Sequence, residues 1–285
     1  MIEKKQSGYW LSHVGLCLGV IFIFFPVWLA FVGSTVTQED IMQPPFPVLP
    51  GPHLIENYKY ALFNISPDGY YSLPVPVLKM LFNSLIMALG ITIGKLIISL
   101  LSAFAFVYFK FPLRKTFFWL IFLTLMLPIE VRIVPTYEVV ANLGLLNSYA
   151  GLIFPLIASA TATFLFRQFF LTVPNEMIEA ARMDAASEWS IYWKIVFPLA
   201  LPAIAVLGIL SVIWRWNDLI LPMIAVSTTK TAYTIQLCLL DFQGEYVAQE
   251  HYRLAMTVVS LIPTTLVFVF LQRYITSGIA STGIK

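Results

Sequence analysis

The chain has 285 residues, of which 59% are hydrophobic and 11% are charged, with a net charge of +2 and a mean hydropathy of +0.83. A soluble domain carries about 25% charged residues, so this composition excludes an ordinary soluble enzyme and indicates a membrane protein. The small net charge does not argue for nucleic-acid binding, and the two cysteines, Cys17 and Cys238, give no disulfide framework.

Six apolar stretches are long enough to cross a bilayer, since a spanning helix needs about 20 predominantly apolar residues. Their lengths and the lack of strict polar–apolar alternation favour helices over strands. We therefore predict an all-α integral membrane protein with six transmembrane helices. The predicted spans cover approximately residues 11–32, 78–109, 116–134, 149–170, 200–226 and 254–275.

Lys and Arg residues in the connecting segments predict the orientation of the spans. With the N-terminus inside, the inner segments carry ten of these residues and the outer segments carry three, Lys59, Lys230 and Arg253. Both termini are therefore expected to be cytoplasmic. The first span is too long for a secretory signal peptide and lacks a clear cleavage site, so we expect an uncleaved anchor.

The longest predicted outer segment, residues 33–77, holds eight of the eighteen prolines. Proline fixes φ and removes a backbone donor, so this segment is expected to be extended or to turn repeatedly. It caps the outer mouth, meets an external partner, or serves only as a solvated connector. A later outer segment, residues 227–252, predicts a mildly acidic exposed face with Asp241, Glu245, Glu250 and His251.

The second span contains Gly90 and Gly94, a G-x-x-x-G spacing that lets two helices approach closely. With Lys95 the stretch GITIGK is similar to a phosphate-binding loop, but it is one residue too short and lies inside an apolar helix. The chain is therefore not expected to bind ATP by that means, and any ATPase that drives it must be another polypeptide.

A polar segment, residues 172–202, separates the fourth and fifth spans. Thr172 and Pro174 favour a helix start, because proline is tolerated in the first turn. Ser187 can cap a second short helix that carries a bulky aromatic face. We predict two short helices with a bend near Ala185, held at the membrane surface and ending where the fifth span begins.

The sequence EAARMDAASEWSIYWKIVFP inside this segment resembles the EAA loop of ABC importer permeases. Glu-Ala-Ala is followed by three residues, a small residue, nine residues and a closing Ile-Val-Phe-Pro. The resemblance implies a type I ABC importer permease fold, whose cytoplasmic coupling helices bind a separate ATPase. The residues implied in coupling are Glu179, Ala180, Ala181, Arg182, Asp184, Ala185 and Pro198. Periodicity alone would also allow an amphipathic surface helix without a partner.

The chain departs from the family pattern at the bend, where Ala185 replaces the usual glycine, and at Phe197, where leucine is usual. A left-handed backbone at a non-glycine residue costs about 1–2 kcal/mol. Either Ala185 keeps a right-handed conformation, or the loop carries some strain.

The likeness extends from about Leu81 to Lys285 and includes Asn83-Ser84 and the tail GIASTGIK. Over this length the chain is similar to the second permease subunit of carbohydrate-type ABC importers, the maltose permease group. The stretches FPLRKTFFW, LMLPIEVRIVPTYEVVANL, SYAGL and SATATFLFRQFF resemble the sn-glycerol 3-phosphate importers of that group. The resemblance implies a non-catalytic permease subunit of a bacterial inner membrane.

The same resemblance implies partners and domains. The partners are a paralogous permease in a heterodimer, an ATPase dimer that uses ATP and Mg, and a periplasmic solute-binding protein, while this chain binds no cofactor or metal directly. The implied domains are an anchor helix with a Pro-rich periplasmic loop (1–77), a core permease domain of five helices (78–277) that includes the EAA loop (172–202), and a cytoplasmic tail (278–285).

Ionisable residues inside spans are costly to insert and tend to face the interior of the helix bundle. Arginine suits a phosphate group because its donors form a fork. The candidates for the solute path are Arg132, Arg215, Glu130, Asp218 and Lys95. Internal pairing is the alternative, above all between Arg215 and Asp218, which lie three residues apart on one helix face.

Three other functions compete with import of sn-glycerol 3-phosphate. A sugar or oligosaccharide importer would keep the same machinery and use the arginines only for structure. A membrane enzyme is disfavoured because His13, His53 and His251 have no metal-ligand spacing. A secondary transporter would need no EAA loop and commonly shows an inverted repeat, which the sequence lacks.

Overall fold

The computed structural model describes residues 7–63, 75–226, 232–244 and 249–282, and within these ranges the regular structure is helical. A 3₁₀ turn, Thr124–Met126, follows α5, and a π-helical turn, Tyr192–Val196, joins α10 to α11. The α-helices are α1 (Ser7–Gly33), α2 (Gln38–Met42), α3 (Leu54–Phe63), α4 (Val77–Tyr108), α5 (Arg114–Leu123), α6 (Ile129–Asn142), α7 (Tyr149–Ile157), α8 (Ala160–Phe170), α9 (Asn175–Met183), α10 (Glu188–Ile191), α11 (Phe197–Trp216), α12 (Ile220–Ala225), α13 (Ile235–Gly244) and α14 (Glu250–Thr282).

Long apolar helices confirm the predicted membrane class. Four stretches of the described chain are long and apolar enough to span: Ser12–Gly33, Val77–Tyr108, Glu188–Trp216 and Glu250–Gln272. Two bent helix pairs, α5 with α6 and α7 with α8, raise the number to six if each pair is one span. The apolar window of α1 is not buried by the rest of the protein at all, as expected for a helix that faces lipid.

The third predicted span is broken, so the prediction of one helix over residues 116–134 is wrong. α5 and α6 meet at an angle of 109°, and Leu127 between them is extended. Pro128 follows directly, and a proline disfavours a helical conformation in the residue before it. The fourth span is bent by 43° between α7 and α8, where Ser159 caps the new helix by accepting the N–H of Ala162.

The fifth span begins earlier than predicted, at Glu188 rather than near residue 200. In the π-helical turn the N–H of Phe197 donates to the carbonyl of Tyr192, five residues back. This widened turn stands directly before Pro198, which lies in the first turn of α11 and therefore needs no helical donor. α11 ends at Trp216, and α12 follows as a separate short helix.

Residues 1–79 and 238–262 form one of two compact units. Residues 43–53 of the Pro-rich segment contain bends and turns and no helix, as predicted, whereas α2 and α3 on either side of them are helices that the prediction missed. Thr37 and Asp40 form a capping box at the start of α2, and these hydrogen bonds lower the pKa of Asp40. Tyr60 of α3 is buried against the ring of Tyr252, with the ring centroids 3.9 Å apart. Residues 64–74 lie outside the described chain.

The predicted acidic segment, residues 227–252, is also partly helical, because α13 lies within it and α14 begins at Glu250. Glu250 forms an ion pair with Arg253 at 2.7 Å, and His251 is half-buried. The expectation of an open acidic face is therefore wrong at these positions. Glu245 and the side chain of Asp241 lie outside the part of the chain that is described.

The second unit comprises residues 80–237 and 263–285, and a close helix contact in it confirms the G-x-x-x-G prediction. A Cβ atom added to Gly90 would lie 2.6 Å from Cδ1 of Ile153. One added to Gly94 would lie 2.6 Å from Cγ2 of Ile157. Only glycine leaves room for α7 to pack this closely on α4.

Candidate functional site

The polar loop between α8 and α11 forms the two predicted short helices, α9 and α10, with a bend at Ala185. Ala185 has a φ of 56°, so the left-handed alternative is the correct one. The N–H of Ala186 donates to the carbonyl of Ala181 at 3.0 Å, and the N–H of Ala185 donates to that of Arg182 at 3.0 Å. These two bonds form a Schellman motif, which ends α9 and turns the chain toward α10.

The start of each short helix was predicted from its capping residues, with different outcomes. The Ser187 hydroxyl caps α10 by accepting the N–H of Ser190 at 3.2 Å, as predicted. Thr172 does not cap α9, because its hydroxyl donates to the carbonyl of Phe169 at 2.7 Å. Pro174 takes the N-cap position instead and provides no side-chain bond. The electrostatic support of this helix start therefore comes from Glu176 in the first turn.

Buried apolar side chains fix the loop to the helix bundle of the second unit. Ile178 of α9 and Ile191 of α10 are 2% and 1% exposed, and Tyr192 is also buried. They belong to one cluster with Phe104 of α4 and Phe166 of α8. Burying a large apolar side chain stabilises by about 1.5–3 kcal/mol, so the two short helices are expected to move together with the ends of α4 and α8.

The predicted coupling residues divide into exposed and engaged ones. The engaged ones are Ala181, which is half-buried and packs on the apolar cluster, and Arg182. Arg182 donates from Nε and Nη2 to the two carboxylate oxygens of Glu188, at 2.8 and 3.1 Å, and from Nη2 to the carbonyl of Tyr108 at 3.3 Å. The hydrogen bond with Glu188 raises the pKa of Arg182. The exposed ones are Glu179, Ala180, Asp184, Ala185 and Pro198.

The hydrogen bonds of Arg182 are therefore made within this chain, where they join α9 to the first turn of α10 and to the C-terminal end of α4. A fork of two donors on one carboxylate fixes direction as well as distance. The exposed outer surface of the loop includes Glu179, Ala180 and Asp184, together with Met183, which is 83% exposed.

Three of the five predicted solute-path residues lie around one cavity in the second unit. Lys95 of α4, Arg132 of α6 and Arg215 of α11 line a cavity of about 330 Å³. Asp218 lines a smaller cavity of about 70 Å³, to which Arg132 also contributes. Glu130 is exposed and lines neither of these two cavities.

The pairing expected from sequence spacing is present. Nη1 of Arg215 donates to Oδ2 of Asp218 at 2.5 Å, and both side chains are mostly buried, at 17% and 10% exposure. Arg215 is thus both an internal ion-pair partner and a cavity-lining residue, which the sequence presented as alternatives.

Several site residues were missed by sequence reasoning. Glu188, the partner of Arg182, was not singled out, although it lies in the first turn after the predicted cap, where an acid is favoured. Ser159, Thr161 and Ser211 line the larger cavity and supply hydroxyl groups. Only Ser159 carried a sequence signal, since serine is a preferred N-cap residue. The others come together only through the packing of distant helices.

The chain matches a family of transport proteins and several of its members. The family described as "binding-protein-dependent transport system inner membrane component" matches residues 95–281. The chain is 43% identical, over 283 residues and 99% of each protein, to the sn-glycerol-3-phosphate transport system permease protein UgpE of Escherichia coli O1:K1. It is 42% identical over the same length to the protein of that name from Brucella abortus strain 2308.

A solved structure supports the fold independently. A bacterial ABC transporter involved in the import of the acidic polysaccharide alginate contains a chain that superposes with a TM-score of 0.77. The match covers 96% of this chain and 99% of that one, at 22% sequence identity. At this identity the likeness concerns the fold alone.

Proposed function

Since the chain belongs to the family of binding-protein-dependent transport system inner membrane components, we propose that it is the permease subunit of an ABC importer that moves sn-glycerol 3-phosphate. It is a multi-pass protein of the inner membrane and has a transport role without catalysis of its own. An ATPase and a solute-binding protein act with it in the transport system.

The observation that carries the solute assignment is the similarity over the full length to glycerol-3-phosphate permeases. The fold alone could not choose, because a transporter of an acidic polysaccharide shares it. A sugar or oligosaccharide importer remains the second candidate on the basis of the family. Three cationic side chains around one membrane cavity favour an anionic solute over a neutral sugar.

The exposed surface of α9 is the proposed docking site for the ATPase. Ala180 is exposed and small, so a groove on the ATPase can approach the helix closely, while Glu179 and Asp184 offer charges at the rim. The buried contacts of Ile178 and Ile191 carry motion from this surface to the bundle. ATP-driven closure of the ATPase is then converted into rearrangement of the spans.

The orientation of the chain in the membrane and the subunits of the complete importer are proposed from charge and from the family resemblance. The excess of Lys and Arg in alternate segments supports cytoplasmic termini and a cytoplasmic α9. The complete importer then contains this chain, a paralogous permease, two ATPase copies and a periplasmic binding protein. ATP and Mg are bound by the ATPase subunits in this arrangement, and the described residues of this chain form no cluster of three or more His, Cys, Asp or Glu that could hold a metal ion.

Uptake by the reconstituted complex tests the proposal. Proteoliposomes that contain both permeases and the ATPase should take up labelled sn-glycerol 3-phosphate when the binding protein and ATP are both present. Omitting either one, or replacing ATP by ADP, should abolish uptake. Uptake of maltose but not of the phosphate ester would favour the sugar importer, and uptake without the ATPase would refute an ATP-driven importer of either kind.

A further inference from the structure

Among the described residues, the charged side chains that line the larger cavity of the second unit are all cationic. Lys95, Arg132 and Arg215 come from three different helices, and no Asp or Glu is among the described residues that line this cavity. Its volume of about 330 Å³ lies at the lower end of the roughly 300–1,000 Å³ that is typical of small-molecule sites.

Internal pairing neutralises only part of this charge. Asp218 accepts a hydrogen bond from Nη1 of Arg215, while Nε of Arg215 is buried and finds no hydrogen-bond partner among the described residues. Arg132 has no ion-pair partner in the described chain and is exposed. The charges of Lys95 and Arg132 therefore have no ion-pair partner among the described residues that line the cavity.

The break in the fourth span adds a further positive group. α8 begins at Ala160, and its first residues, Ala160, Thr161 and Ala162, line the cavity. Ser159 caps only the N–H of Ala162, at 3.3 Å, so the two preceding N–H groups have no acceptor within their own helix. Broken helices whose N-termini point at anionic groups are a known device of membrane transporters, because the helix dipole is positive there.

We propose that this cavity binds the phosphate group of a phosphate monoester, held by Arg132, Arg215, Lys95 and the N-terminus of α8. A dianion with three acceptor oxygens compensates the charges of Lys95 and Arg132 and accepts hydrogen bonds from the first N–H groups of α8. A neutral sugar would leave the charges of Lys95 and Arg132 uncompensated. The inference rests on the proposed function, and it adds that this subunit itself contacts the solute.

The test compares uptake with ATP hydrolysis in one preparation. Arg132→Gln is the main variant, because removing the Arg132 guanidinium leaves no buried carboxylate without a partner. Uptake of labelled sn-glycerol 3-phosphate by the complete complex should fall about tenfold, as expected for loss of a hydrogen bond to a charged group. Hydrolysis stimulated by the loaded binding protein should stay within about twofold of the original rate.

Two further variants separate a binding role from a structural one. Arg215→Gln combined with Asp218→Asn removes the ion pair without leaving a lone charge, and it should also lower uptake more than hydrolysis. Lys79→Gln is the matched control, since Lys79 is exposed on α4 and lines neither of the two cavities. Its uptake should remain unchanged.

Each alternative outcome has a distinct meaning. Unchanged uptake in Arg132→Gln, or a parallel fall of uptake and hydrolysis, would overturn the phosphate site and assign the cations to structure. Equal losses in Lys79→Gln would overturn it too, because a general charge effect would then explain the result. An original complex that imports another solute but no sn-glycerol 3-phosphate would instead refute the proposed function.

Discussion

Replacing Ala185 by glycine should stabilise the loop between α9 and α10. Ala185 has a φ of 56°, a left-handed conformation that costs a non-glycine residue about 1–2 kcal/mol. Glycine removes this cost, but it also gives the unfolded chain more freedom, which offsets about 0.4–1 kcal/mol. The midpoints of these two ranges differ by about 0.8 kcal/mol, so we expect a net gain of about 0.5–1 kcal/mol in the free energy of opening the loop.

Amide hydrogen exchange measures this gain where it arises. The N–H groups of residues 185 and 186 close the Schellman motif by donating to Arg182 and Ala181. A gain of about 0.5–1 kcal/mol should slow their exchange roughly two- to fivefold after correction for intrinsic rates, since 1.4 kcal/mol is tenfold. Ala180→Gly is the control, because Ala180 is exposed inside α9, where glycine costs about 0.5–1 kcal/mol relative to alanine.

The two glycine variants should thus change exchange in opposite directions. Faster exchange in Ala185→Gly would show that the alanine is not strained there. A shift of the same sign in both variants would show that the effect comes from glycine flexibility and not from the backbone conformation at the bend.

Two further predictions concern packing and the ion pair. Gly94→Ala should destabilise the protein by about 1–3 kcal/mol, because the new Cβ would lie 2.6 Å from Cγ2 of Ile157. Gly208→Ala is the control and should not destabilise it, because its Cβ would lie 3.6 Å from Cδ1 of Leu96. Thermal unfolding of the two variants measures the difference. Glu188→Gln should leave the protein folded, because an ion pair whose partners are 39% and 40% exposed contributes at most about 1 kcal/mol. Amide hydrogen exchange in α9 and α10 should become faster in this variant, and the increase should be smaller at high salt, which screens the ion pair of the original protein. Unchanged exchange would show that the ion pair does not hold the loop in place.

The helical membrane class could be predicted from sequence because apolar length is a strong and local signal. Breaks within spans were harder to predict. Pro128 marks the break between α5 and α6, but prolines also stand inside helices, as Pro155 does in α7 and Pro263 in α14. Which proline ends a helix depends on the packing around it, and hydropathy does not contain that information.

The coupling loop was predictable in outline because its caps and its bend are local. Ser187 was identified from its residue type, and Ala185 from its position in the pattern that resembles the EAA loop. The hydrogen bond from Arg182 to the carbonyl of Tyr108 could not be predicted, because the two residues are 74 positions apart. The convergence of Lys95, Arg132 and Arg215 on one cavity is likewise a product of tertiary packing. Sequence showed that each was a costly charge within a span and a candidate for the solute path, but not that the three side chains meet.

Cross-linking from α9 tests most directly whether this surface receives the ATPase. A photoreactive group attached at Ala180→Cys should capture the ATPase in the assembled importer. The same group at Leu49→Cys, which is 73% exposed in the Pro-rich segment and is expected on the other side of the membrane, should not. Capture of the ATPase from residue 49, or its absence from residue 180 in a complex that still imports solute, would contradict the proposed coupling.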